Sequence, residues 1–89
     1  MKKIKVIYRK LGKQQAHGIC EDTHIELDSR LKGKKALEIL THEAIHYLFP
    51  ELTEEETIKI SIILTNTLWH EGYRRIDNDV SVPLQDGSI

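Results

Sequence analysis

The chain has one cysteine, two prolines, one phenylalanine, one methionine and one tryptophan in 89 residues. A lone Cys20 cannot close an intramolecular disulfide, so no such cross-link supports the fold. Charge of one sign is also missing: 13 basic residues against 14 acidic ones leave a formal net charge of −1. A dedicated nucleic-acid binder carries a clustered basic excess, so that class is set aside. No apolar stretch approaches the ~20 residues of a bilayer-crossing helix, which excludes a helical membrane span. The basic start Met1-Lys2-Lys3 leads into a run already broken by Lys5, not into a signal-peptide core. The expected compartment is therefore the cytoplasm, with Cys20 reduced and serving as a small buried hydrophobe.

What is present fits one folded domain. Charged residues make up 30% and hydrophobic ones 39%, the balance of a globular chain rather than a disordered tail. A domain this short buries only about 60–65% of the surface its unfolded chain exposes, so its core is thin. A bound metal is one cross-link that can compensate, and five histidines make it worth seeking.

Periodicity divides the chain in two. Ile4, Val6 and Tyr8 alternate with Lys5, Ile7 and Arg9 over residues 3–11, the period of a strand. Residues 16–21 form a second short strand in which Gly18 permits a bulge or a close approach. Thr23, Ile25 and Leu27 alternate with His24, Glu26 and Asp28 in a third. The short links predict an antiparallel sheet. From Lys34 to Phe49 the spacing of Leu37, Leu40, Ala44, Ile45 and Leu48 is helical, and Pro50 ends it. Thr53 and Glu56 fit the capping box of a second helix that carries Ile58, Ile60, Ile62, Ile63, Leu64 and Leu68 and closes near Gly72. The expected fold is α+β: three amino-terminal strands, then two long helices. The domain spans residues 1–76, and 77–89 read as an extended or frayed tail.

The chemistry lies in His42-Glu43-Ala44-Ile45-His46, an H-E-x-x-H motif within the first helix. Residues four apart share a helix face, so both imidazoles can reach one ion. Glu43, one position on, can instead take a proton from a metal-activated water during attack on a carbonyl. Paired histidines also occur on ordinary polar helix faces, but these fall in the best helical pattern of the chain. Two ligands do not complete a catalytic zinc site. The extended motif of the metzincins is absent, since Phe49 and Leu52 stand where its glycine and third histidine would be. Only residues 49–52 separate the helices, so they form an antiparallel hairpin with His46 level with Glu54-Glu55-Glu56. Glu54 continues into Thr57, Ser61 and Thr65, a stripe of small residues that lets two helices approach. It is the expected third ligand, with Glu55 next in line and Glu56 engaged by the cap.

The run LTHEAIHYLFPELTEEETIKISIILTNTLW resembles small phage and prophage-type metallopeptidases, as do HGICEDTHIELD upstream and GYRR downstream. Together these cover most of residues 4–75. A more distant likeness is to ImmA/IrrE-type zincin domains, in which a glutamate of the following helix completes the metal site. The resemblance implies a minimal zincin-like fold with one zinc per chain, held by His42, His46 and Glu54, and Glu43 as general base. Thr57 and Ser61 depart from the alanines usual there.

His70-Glu71 starts a second such motif, but Arg74 stands where its paired histidine is needed, so His70 reads as a helix-end cation. His17, His24, Tyr47 and Tyr73 could assist a site, although surface or packing roles suit all but Tyr73, which stays open. Two function classes follow: a zinc peptidase acting on peptide or protein substrates, and a non-catalytic, zinc-stabilised protein-binding module. The intact Glu43 favours the enzyme. Oligomeric state is not legible.

Overall fold

The computed structural model describes residues 3–12 and 17–76. Strands β1 (Val6–Arg9), β2 (Gly18–Cys20) and β3 (Ile25–Asp28) precede helices α1 (Gly33–Leu48) and α2 (Glu54–His70). The α+β expectation holds, and both helices begin and end within two residues of the expected positions. The strands are shorter than expected. The reading of residues 77–89 as a tail falls outside the described residues.

The sheet is mixed, not antiparallel throughout. Its order is β1-β3-β2, with β1 parallel and β2 antiparallel to β3. The β2–β3 link is a tight turn in which Glu21 N–H donates to the His24 carbonyl at 2.8 Å, so those two strands form a hairpin. β1 pairs instead with the far side of β3. Residues 10–24, which include β2, supply the crossover that a parallel pair needs. Short links between consecutive strands misled the expectation because β1 and β2 are not neighbours. Central in the sheet, β3 buries Ile25 and Leu27 to 0% and 1% exposure.

The opposite face of the sheet carries Glu26 between Ile7 and Ile19. Glu26 accepts from Arg9 Nε at 2.8 Å and lies 2.8 Å from His24 Nε2. These partners hold its carboxyl below the ordinary carboxylate range. Asp28, expected on a solvated face, is instead buried at the strand end. Arg30 donates from its backbone N–H and Nε to Oδ1 and from Nη2 to Oδ2, and Nη2 also reaches the Leu11 carbonyl at 3.1 Å. The fork ties the turn after β3 to the segment after β1. It also holds Asp28 far below the ordinary aspartate value. A carboxyl with a depressed pKa adds stability above its unfolded value, near ~3.9, and loses it as pH falls toward the folded one. Asp28→Asn should therefore melt several degrees lower than wild type at neutral pH. The gap should narrow below about pH 4, where Asp28 of the unfolded chain takes up a proton while that of the folded chain stays ionised. Thermal melts across that range check both points.

Three layers result: sheet, α1, α2. α1 packs on β2 and β3, and α2 packs on α1 alone among the described elements. The capping box at Thr53 is formed, with Glu56 N–H donating to Thr53 Oγ1 at 3.1 Å and Thr53 N–H to Glu56 Oε1 at 2.9 Å. At the other end Gly72, at φ +91°, closes α2: its N–H donates to the Trp69 carbonyl and that of Tyr73 to the Leu68 carbonyl. The contact with α1 is the small-residue stripe. Thr57, Ser61 and Thr65 are 0%, 1% and 1% exposed, whereas Ile58, Ile60, Ile62, Ile63 and Leu64 are all exposed. Small side chains let the helices approach closely, and the isoleucines are left flanking the seam.

Thr57 Oγ1 and Thr65 Oγ1 are buried without a hydrogen-bond partner among the described residues, whereas Ser61 Oγ donates to the Ile58 carbonyl. A buried hydroxyl without a partner costs about 1–3 kcal/mol. Thr65→Val keeps the shape, removes that cost and should stabilise the fold by about 1 kcal/mol in a denaturant titration. A destabilised variant would show that the hydroxyl is satisfied in solution.

Candidate metal centre

α1 carries His42 and His46 on one face, one turn apart, with their ring centroids 4.7 Å from each other. The link at residues 49–53 turns the chain back, and the capping box fixes where α2 starts. The first residue of α2 thereby meets that face. Glu54 Oε1 lies 2.7 Å from His46 Nε2, and Oε2 lies 3.3 Å from His42 Nε2. One potential ligand atom from each of the three falls within 4.8 Å of the others. Two imidazole nitrogens and a carboxylate form a donor set suited to a transition-metal dication, and this group could hold a metal ion.

The neighbouring glutamates point elsewhere. Glu55 is exposed and lies 3.8 Å from Lys59 Nζ, while Glu56 closes the cap. The small-residue stripe explains the difference: Glu54 lies on the same helix face as Thr57, Ser61 and Thr65, and that face is the one turned to α1. Glu54→Ala should weaken binding of a divalent metal by more than about tenfold, while Glu55→Ala leaves it unchanged. Calorimetric titration of the two variants checks this, and the opposite result would reassign the ligand.

Glu43 is the other chemically notable group. It is only 8% exposed, against 64% for the Glu54 side chain. Burial pushes its pKa up, the imidazoles of His42 and His46 partly oppose this, and Glu54 adds to it. A carboxylate so placed is a stronger proton acceptor than one in water. It lies under β2, where Gly18 makes room for it. A Cβ at Gly18 would come 2.9 Å from Glu43 Cγ and 2.8 Å from Ile39 Cγ2. A glycine inside a strand signalled a close approach, but its partner became visible only in the fold.

The remaining candidates lie elsewhere. His24 is engaged by Glu26, and Thr23 Oγ1 lies 3.0 Å from its Nδ1. His17 is exposed on the link ahead of β2, and His70 at the end of α2. Tyr73 follows the end of α2, which lies about 24 Å along the helix from Glu54 at 1.5 Å per residue, so it does not serve this group. Cys20, expected to be buried, is exposed at the edge strand. Partial burial, then the carboxylates of Glu43, Glu21 and Asp22, push its thiol pKa up, which leaves it a poor nucleophile. Comparison of the chain with protein-family models, with curated proteins and with solved structures finds no match.

Proposed function

We propose that the chain is a zinc-dependent metallopeptidase of the H-E-x-x-H type, with a zincin-like arrangement of helices. The observation that carries this reading is the convergence of His42, His46 and Glu54 beside a buried glutamate that takes no part in that group. A metal site that serves structure alone has no use for Glu43. The likeness of most of residues 4–75 to phage and prophage-type metallopeptidases, and the more distant one to ImmA/IrrE-type domains, supports the same reading.

His42, His46 and Glu54 would hold the ion. When bound, zinc supplies Lewis acidity toward water and toward a substrate carbonyl. Glu43 then moves the protons. It accepts one from the attacking water as the new C–O bond forms, and returns it to the departing amine nitrogen as the C–N bond breaks. β2 lies at one edge of the sheet and packs on α1, with Gly18 against Glu43. Its outer side offers main-chain groups to an extended peptide beside the metal helix. Among the described residues, no helix is long and apolar enough to cross a membrane.

The deciding assay is cleavage of an unfolded protein substrate by the zinc-loaded chain, run beside Glu43→Gln and a chelated sample. Cleavage that depends on both zinc and Glu43 supports the peptidase. Stoichiometric zinc without cleavage would favour the non-catalytic module instead, in which the ion serves only to staple the two helices.

A further inference from the structure

At the end of the helical hairpin remote from His46 and Glu54, a groove of about 650 Å³ opens between β1, the start of α1 and the end of α2. Its walls are apolar and aromatic, with Leu37 and Leu40 of α1 facing Trp69 and Tyr73. Its rim is cationic. Arg74 stacks on the Trp69 ring, with its guanidinium carbon 3.4 Å from the ring centroid, and donates from Nη1 to the Trp69 and Tyr73 carbonyls. Arg75 lies 4.2 Å over the Tyr8 ring. Lys32 stands where α1 begins. Among the described residues no carboxylate lines the groove, and none of the three cations has an acidic partner. α1 also starts here without a side-chain cap and without an acidic residue in its first turn, so its amide end adds to the positive field.

We propose that this groove docks a segment of another protein in which an apolar side chain is flanked by carboxylates. The aromatic and leucine walls take the apolar side chain, and the cations on the rim take the acids. Lys32 precedes α1 while Arg74 and Arg75 follow α2, so the positive charge comes from two separate parts of the chain. A single carboxylate leaves part of it unmatched, and a peptide carrying two matches both. Nucleic acid fits poorly against leucine walls. A second copy has little to offer: of its described acidic runs, Glu54 is engaged with the histidines, Glu55 lies near Lys59 and Glu56 is in the cap, and Glu21-Asp22 has no apolar residue between its acids. The site is independent of the metal centre and of any peptidase activity.

Trp69 is the only tryptophan in the chain, so its emission reports the groove directly. The experiment titrates acetyl-Asp-Leu-Val-Asp-amide into the full-length protein and follows that emission. A saturable change is expected that weakens as salt is raised. The Kd should rise by about tenfold or more in Lys32→Glu and in Arg74→Glu, and stay constant in Lys59→Glu, which makes the same charge change elsewhere on the surface. Lys32 makes no stacking contact, so its variant tests the charge without disturbing the Arg74–Trp69 pair, and circular dichroism verifies that both variants fold. The probe acetyl-Lys-Leu-Val-Lys-amide should give no response. Absence of a saturable response, equal responses to the two probes, or equal weakening by Lys59→Glu would overturn the proposal. So would an emission change that tracks protein concentration alone together with a doubled molecular mass, which would put a second copy in the groove.

Discussion

Stripping the metal from the zinc-loaded chain should lower its melting temperature by roughly 16–32 °C. A ligand that binds only the folded state, present at about a thousandfold over its Kd, adds about 4 kcal/mol. In a domain of this size each kcal/mol moves the melting temperature by roughly 4–8 °C. The fold has little else to offset such a loss. Among the described residues the buried apolar side chains are Leu11, Ile25, Leu27 and Ile45, and α2 rests on α1 through two threonines and a serine. The metal group joins the carboxyl half of α1 to the first residue of α2, so it fastens the helix with the fewest neighbours. His42→Ala combined with His46→Ala should abolish zinc binding and melt where the chelated wild type melts. Full zinc content in that double variant, measured by elemental analysis, would remove the basis of the site. A melt indifferent to chelator would show that the ion is not part of the fold's stability.

The second large effect is expected at Glu43. Glu43→Gln preserves size and hydrogen-bonding reach but cannot accept the proton from water. General-base catalysis contributes about 10²- to 10⁴-fold, so peptide cleavage should fall by at least two orders of magnitude. Zinc content should be unchanged, because the group that could hold the ion is His42, His46 and Glu54, without Glu43. Stability should hold or rise, since burial already disfavours the charged carboxylate that the substitution removes. Rate, metal content and melt together separate the roles. Loss of zinc in Glu43→Gln would make Glu43 a ligand, and undiminished cleavage would place the base elsewhere.

Local signals carried most of this site. His42 and His46 are one helical turn apart, the Thr53–Glu56 box states where α2 begins, and the small stripe states which of its faces turns to α1. Those three facts bring Glu54 to the histidines without any long-range knowledge. Long-range pairing was not legible. Nothing local to β1 says that it bonds to β3 rather than β2, because alternation sets which side chains share a face and is silent on the neighbouring strand. The same limit explains Asp28, whose place in the alternation suggested solvent until the Arg30 fork enclosed it. It explains the groove as well: Tyr8 and Arg75 stand far apart in sequence, and the stacking of one on the other appears only once β1 and the end of α2 are in place.

The strand order also dictates a sequence of assembly. β2 and β3 are joined by a tight turn and can pair as soon as both exist, whereas β1 must wait for β3 although it is made first. Closing the long β1–β3 loop costs more chain entropy than closing the hairpin, so the parallel pair forms after it. α1 then finds a sheet to cover, and α2 finds α1. Glu54 belongs to the last of these elements, and His42 and His46 to the one before it. The set His42, His46 and Glu54 is therefore incomplete until α2 docks, so a metal that this group takes would be captured only after the described elements have assembled.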